Sequence, residues 1–573
     1  MEILKENDKS LFWVVFVGFF LFQLISFLGY IGNFLSLFFW LAVIVTLYLT
    51  IKKIDYGLLI LFFEFLAGHE GHLFSFAPLE SCNWISSSLP ALAKICQVSF
   101  LTGFAGISLR LALFLVVMVV WFFSGRKAIK PSLIFSIFIF FLFLSLINGF
   151  SNSNPVFALK DFINFSYIFL VFPLIDFLKN KQNQKDLFVI SKALVFALAI
   201  LTIFVLIIFS TGLAQVHDIF YWWWRGTVIG KVTFAGNNFF RIVTPAHLLV
   251  LPLLLIYLSI LLNHVGNNLP KGAGALAEET SATERAGRLD LMSGRARKAK
   301  FCPSEAPWRS LADPAAREAI AAEGGTKFGI RARFHAGESS AFGGKRFRAC
   351  LAGAILLATS ALLINFSRAY LLGLFAGLLF LSFGLPFKKW FKFTVVFLLI
   401  MFSELIIIFT SVSGGKTFGL DFFAGRMKTT IAPEEELSSA TRLAILPVLL
   451  EKIKEKPILG HGLGMTVSYL DPLTKEIKIT RHLDWGYLEM LVELGVFGFL
   501  SFLVLIFSLF YKIFKYFREF DLNGQRIVIG LGAGLVALLV AAATGPFLFH
   551  ALGIFYLSLV IAYLYSPTTS VTK

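Results

Sequence analysis

Apolar runs of about 18 residues or more recur through most of this 573-residue chain. "SLFWVVFVGFFLFQLISFLGYIG" ends at Gly32, and "LIFSIFIFFLFLSLI" starts at Leu133. A run of that length crosses a bilayer as a helix, because a helix satisfies its backbone hydrogen bonds within the segment. A membrane β-barrel is excluded, since its strands alternate polar with apolar residues and these runs do not. Only 15% of the residues are charged, against about 25% in soluble domains. The fold class is therefore an all-α polytopic integral membrane protein.

The runs place helices at about 11–30, 32–50, 56–68, 105–124, 132–150, 162–178, 189–210, 239–262, 350–366, 369–386, 393–411, 485–510, 527–546 and 550–565, so about 12–14 transmembrane helices are expected. Lys52 and Lys53 follow the second, and Arg126, Lys127 and Lys130 the fourth. Lys179, Lys181 and Lys185 follow the sixth, Lys388, Lys389 and Lys392 the tenth, and Lys512, Lys515, Arg518 and Arg526 the twelfth. Basic residues collect in cytoplasmic gaps, so both termini are expected in the cytoplasm. The N-terminus is expected to be a first membrane helix, since no small-residue cleavage site follows it. The large loop 412–484 before the twelfth helix is then extracytoplasmic, as is "YWWWRGTVIGKVTFAGNNF" at 221–239.

We divide the chain into N-terminal membrane helices 1–262, an atypical insertion 263–349, membrane helices 350–411, the extracytoplasmic loop 412–484 and C-terminal membrane helices 485–573. The insertion is rich in Ala, Gly and Arg, lacks apolar periodicity, and is expected to be disordered and cytoplasmic. The net charge of +17 follows from membrane topology, with no nucleic-acid partner. No metal-binding motif stands out: His69, Glu70 and His72 in "GHEGH" lack further ligands. Cys82, Cys96, Cys302 and Cys350 are too scattered for a zinc site or a disulfide framework.

Ionisable residues gather late in the chain. Arg481, His482 and Asp484 stand at the mouth of the twelfth helix, with Glu489 and Glu493 inside it. Charge within a bilayer costs roughly 2.5–3.5 kcal/mol on insertion scales, so it marks packing or function. If the helix starts near His482, that residue shares a stripe about 60° wide with Gly486, Glu489 and Glu493. Glu489 and Glu493 are then expected to pair with arginines and fix the packing, leaving His482 and Asp484 for chemistry. Before them, Arg442 opens an amphipathic helix with Leu443, Ile445, Leu446, Leu449, Leu450 and Ile453 at helical spacing. "GHGLG" from Gly460 then reads as a flexible turn able to bring backbone close to a ligand. Arg368, Arg241 and Arg110 stand near outer helix starts, either as snorkelling anchors or as forks for a phosphate.

Three stretches resemble the O-antigen ligase and Wzy-type polysaccharide polymerase superfamily. They are "FSRAYLLGLFAGLLFL", "ATRLAILPVLLEKIKEKPILGHGLG" and "DWGYLEMLVELGVFGFLSFL". The resemblance implies a GT-C-like membrane glycosyltransferase. It would move a glycan from undecaprenyl diphosphate to a hydroxyl of a glycan or lipid acceptor, outside the cytoplasmic membrane, without metal or nucleotide sugar. Arg368, Arg442, Arg241, Arg110 and Arg481 would hold the diphosphate, and His482 or Asp484 would take the acceptor proton. The ligases place a histidine where this chain has Asp484, so polymerase stands beside ligase. A protein O-oligosaccharyltransferase has the same chemistry. A lipid-linked glycan flippase is the alternative of another class, and needs charges reaching both faces.

Overall fold

The computed structural model describes residues 2–69, 71, 73–74, 108–125, 132–236, 238–266, 345–384, 386–416, 418, 437–472, 474–481, 483–520 and 522–566. The chain divides into two units, one formed by Met1–Ile260 with Gly353–Lys573 and the other by Leu261–Ala352. Most of the expected insertion 263–349, Glu70, His72, Cys82, Cys96, Cys302, the basic residues 126–130 and His482 lie outside the described residues.

In chain order the described helices are α1 Glu2–Gly32, α2 Leu35–Lys52, α3 Ile54–Ala67, α4 Leu109–Phe123, α5 Leu133–Asn152, α6 Pro155–Ser166, α7 Val171–Leu178, α8 Lys181–Ser210 and α9 Ile219–Gly226. The hairpin β1 Lys231–Gly236 and β2 Phe239–Val243 follows, then α10 His247–Gly266, α11 Lys345–Asn365, α12 Arg368–Leu381, α13 Phe387–Val412 and α14 Leu437–Glu455. A second hairpin, β3 Val467–Leu470 and β4 Ile477–Thr480, precedes α15 Gly486–Glu519, α16 Leu522–Ala542 and α17 Ala551–Tyr565. Among the described residues, nine helical spans are long and apolar enough to cross a membrane, and four shorter apolar helices accompany them.

Local chemistry sets several boundaries. The side chains of Ser108, Ser132, Asn154 and Asn180 each accept a hydrogen bond from a first-turn amide, capping α4, α5, α6 and α8. Pro155 follows Asn154 at the first helical position, where a missing N–H costs nothing. Pro173 cannot donate to the Phe169 carbonyl, and the chain tightens into a 3₁₀ turn at Tyr167–Leu170 between α6 and α7. Gly373 and Gly377 of α12 face the carbonyls of Ala537 and Ala533, so α12 and α16 pack backbone to backbone.

Three expectations are corrected. The helix expected at 239–262 starts only at His247, and the extended, branched and aromatic run "FFRIV" pairs as β2 with β1, placing Arg241 opposite Thr233. The stretch 221–239 is thus a short helix and a hairpin, and the described residues are mostly helical with two hairpins added. Lys388, Lys389 and Lys392 lie in the first turns of α13, which starts behind Pro386.

The third correction concerns the twelfth expected helix, α15. It starts at Gly486, after the position of His482, and breaks at Gly495, where φ is 67° and ψ is −176°. In a continuous helix Val496 N and Phe497 N would donate to the carbonyls of Val492 and Glu493. They donate instead to Pro457 O at 2.8 Å and Ile458 O at 3.4 Å. The two released carbonyls accept from His461 N at 2.7 Å and Gly462 N at 3.0 Å. The Ser145 hydroxyl of α5 donates to Glu493 O at 2.9 Å, and the Ser145 carbonyl accepts from Leu463 N at 3.1 Å.

The "GHGLG" turn therefore approaches its own protein. Gly460, Gly462 and Gly464 all have positive φ. A Cβ on Gly462 would overlap the backbone of Gly149, and one on Gly464 the backbone of Ala158. Gly462→Ala should destabilise the protein by about 2 kcal/mol or more, from left-handed strain plus overlap. Gly18→Ala on α1, with nothing within 4 Å of its added carbon, should melt like the parent. Thermal unfolding in detergent reads both, and an unchanged Gly462→Ala would contradict this packing.

Candidate functional site

The loop that fills the α15 break also brings α14 over the start of α15. Ile445 and Leu449 of α14 are buried with Met465, Val467, Leu483 and Val492. Trp485 Nε1 donates to the carbonyl of Arg442 at 3.1 Å. Of the amphipathic helix expected from Arg442, Ile445 and Leu449 turn onto protein, while Leu443 and Leu450 stay exposed. Arg442 Nε lies 3.5 Å from Asp484 Oδ2, with side chains 28% and 46% exposed. The two are close enough to attract, yet Arg442 Nε is shielded from solvent and has no hydrogen-bond partner. The contact is an ion pair without an aligned hydrogen bond.

A second pair stands beside it. Arg481 Nε lies 3.8 Å from Asp161 Oδ1, and its guanidinium sits 5.4 Å from the centre of the Phe157 ring. Asp161, on α6, was missed by the sequence reading. The signal was present in "LKDFINF", a carboxylate inside an otherwise apolar segment.

Glu489 and Glu493 do not share a stripe with His482, because α15 starts after that position. Buried Glu493 has an α-helical neighbour on one side and the loop on the other, and its Oε1 accepts Gly464 N at 3.1 Å. Of the arginines, Arg481 acts on it through its charge, while the hydrogen bond comes from a loop amide. Glu489 is half-buried, with Oε2 shielded and without a hydrogen-bond partner. Asp161, Glu489 and Glu493 interact electrostatically with one another. The start of α15 is therefore a carboxylate cluster with Arg481 and Arg442 at its edge.

Arg241 and Arg368 form a separate group. Arg241 Nε donates to the carbonyl of Asn365 at 2.6 Å, and Asn365 ends α11 three residues before Arg368 opens α12. The turn between α16 and α17 links this group to the start of α15. On one side, a Cβ on Gly486 would touch the carbonyls of Ala542 and Gly545, and Tyr487 Oη donates to Leu539 O at 2.6 Å. On the other, Phe547 lies edge-on to Tyr370 of α12, centroids 5.3 Å apart. Both groups therefore lie at the end of the helices where α12, α15 and α17 start.

Arg110 departs from the expected set. Its Nε donates to Glu64 Oε2 at 2.8 Å, with both side chains 2% exposed. Its Nη2 donates to the carbonyl of His69, and the guanidinium lies 4.8 Å from the centre of the Phe65 ring. A buried ion pair is tolerated only when further hydrogen bonds accompany it, and here they tie α3 to α4. Its nitrogens face protein acceptors rather than an outer diphosphate.

Residues 353–503 match the protein-family model described as O-antigen ligase. The match supports membership of the O-antigen ligase/Wzy superfamily for that stretch, which contains Arg368, Arg442, the Gly460–Gly464 turn, Asp484 and the Gly495 break. The matched stretch and the helices long and apolar enough to cross a membrane together support a membrane enzyme of surface polysaccharide assembly. No curated protein and no solved structure gives a significant match.

The two roles at the α14–α15 junction separate by mutation. Leu449→Ala removes a fully buried side chain and should cost about 2–5 kcal/mol. Asp484→Asn removes one partner of a half-exposed pair and should cost under about 1 kcal/mol. Melting temperatures in detergent check the contrast, and a larger loss for Asp484→Asn would make that pair the anchor of the junction.

Proposed function

We propose that this protein transfers a glycan from undecaprenyl diphosphate to an acceptor hydroxyl on the outer side of the cytoplasmic membrane, as an O-antigen polymerase or ligase. The observation that carries the reading is the Arg442–Asp484 pair, 3.5 Å apart and part-exposed, inside the segment matching the O-antigen ligases. In the reaction the acceptor oxygen attacks the anomeric carbon and the carbon–oxygen bond to the diphosphate breaks. The acceptor proton passes to a base, and undecaprenyl diphosphate leaves with the bonding pair.

Asp484 or His482 takes that proton. Positive groups balance the charge that develops on the diphosphate. Arg368 and Arg442 are the first choices for this, then Arg241 and Arg481, each offering a planar fork. Arg442 beside Asp484 places a cation next to a base, so one contact can hold the leaving group while its neighbour receives the proton. A GT-C-like architecture belongs to the same reading, with its site at the helix ends.

General base catalysis contributes about 100- to 10,000-fold. Purified Asp484→Asn or His482→Ala should therefore lose at least about 100-fold in transfer, whichever carries the base, while binding undecaprenyl diphosphate as before. Arg368→Lys and Arg442→Lys should both weaken that binding, because lysine keeps the charge but not the fork. Parent turnover in both the Asp484 and His482 variants would remove the base assignment.

The basic residues near the starts of α8 and α13 set the orientation, and the ion pair of Lys185 with Asp8, at 2.8 Å, holds the α1 start at the same end. In cells, a cysteine replacing Lys475 should react with a membrane-impermeant thiol reagent, and one replacing Lys388 should be protected. The reverse pattern would invert the topology. The insertion 263–349 has no part in this chemistry.

A further inference from the structure

We infer that His247 is a positioning residue that aligns Arg241 with the start of α12 for the donor diphosphate, a role that rests on reading Arg241 and Arg368 as its ligands. His247 is the first residue of α10 and is fully buried. Thr202 of α8 lies on one edge of its ring, with Oγ1 3.0 Å from Nε2. The Thr202 hydroxyl already donates to the Leu198 carbonyl at 2.8 Å. It must therefore accept from His247, which places the ring hydrogen on Nε2 and leaves Nδ1 as an acceptor. Nδ1 faces Asn365 Nδ2 at 2.9 Å, and Thr244 N at 3.3 Å.

These contacts join three elements. Thr202 belongs to α8. Thr244 directly follows β2, which carries Arg241. Asn365 ends α11, and its main-chain oxygen receives Arg241 Nε at 2.6 Å. Phe366 then turns the chain with φ 47°, and Arg368 opens α12. The side-chain oxygen of Asn365 is buried without a hydrogen-bond partner, so the imidazole is what orients this amide. Without Nδ1 the amide loses its acceptor, and the corner that holds Arg241 loses its reference point.

A histidine that merely fills space would be replaced equally well by any side chain of its size. A positioning histidine distinguishes its two nitrogens. Asparagine places an oxygen near Nδ1 and keeps the acceptor for Asn365. Glutamine places an amide nitrogen near Nε2 and keeps only the Thr202 contact.

The experiment measures the affinity of the purified full-length protein for undecaprenyl diphosphate in lipid nanodiscs. His247→Asn should stay within about threefold of the parent, and His247→Gln should weaken binding about tenfold, as expected when one buried hydrogen bond is lost. Arg241→Ala should weaken it at least as much, and adding His247→Gln to Arg241→Ala should change nothing further. Parent-like binding by His247→Gln beside a weakened Arg241→Ala would overturn the positioning role and leave the arginine reading intact. So would equal losses in the Asn and Gln variants that add to the loss from Arg241→Ala. Parent-like binding by both Arg241→Ala and Arg368→Ala would instead overturn the arginine reading itself.

Discussion

The exchange of hydrogen bonds at Gly495 organises the rest of the site. A helix broken within an apolar environment strands two amides and two carbonyls, and each unsatisfied group in hydrocarbon costs several kcal/mol. Here a loop from the preceding element supplies two acceptors, Pro457 O and Ile458 O, and two donors, His461 N and Gly462 N. The break and the docked loop therefore require each other. Because α14 leads directly into this loop, the same exchange fixes where Arg442 meets Asp484. Three glycines are needed because the loop must lie against the backbones of α5, α6 and α15 at once.

Around this junction the charged groups fall into two kinds. Arg110 and Glu64 are fully enclosed, and their hydrogen bonds are local ties between helices. Arg442, Arg481, Asp161 and Asp484 keep part of their surface open, with longer ion-pair distances. A tight buried pair has no donor left for a visitor, whereas a loose, partly hydrated pair can exchange its partner for a ligand at little cost. The contrast separates arginines that build the fold from those able to exchange a partner.

Much of the architecture was legible because the constraint is coarse. Continuous apolar runs fix membrane helices by length alone, and the ends shifted mostly where caps such as Asn180 or Pro386 lay outside the run. The stretches around Arg368 and Arg442 and the run through Glu493 to Gly495 carried the resemblance, and they lie within the residues that match the O-antigen ligase model. The finer geometry was less legible for physical reasons. "FFRIV" is as apolar as a helix turn, and only its pairing with β1 makes it a strand. Nothing local to Gly495 announces that Pro457 and Ile458 will take over its neighbours' amides. Asp161 and His247 gain meaning only from partners far away in sequence, Arg481 for one and Thr202 and Asn365 for the other.

The break also changes what α15 presents to the lipid. As one rod, its 34 residues would measure about 51 Å, far more than a hydrocarbon layer of about 30 Å. Divided at Gly495, it becomes a short upper piece and a lower piece from Val496 to Glu519 of about 36 Å, which is enough to cross the layer by itself. Glu489 and Glu493 belong to the upper piece. The bilayer can then end near the bend, with both carboxylates in the headgroup zone beside Asp161 and Asp484. In that arrangement the thickness of the membrane, as much as the fold, sets the depth of the acid cluster.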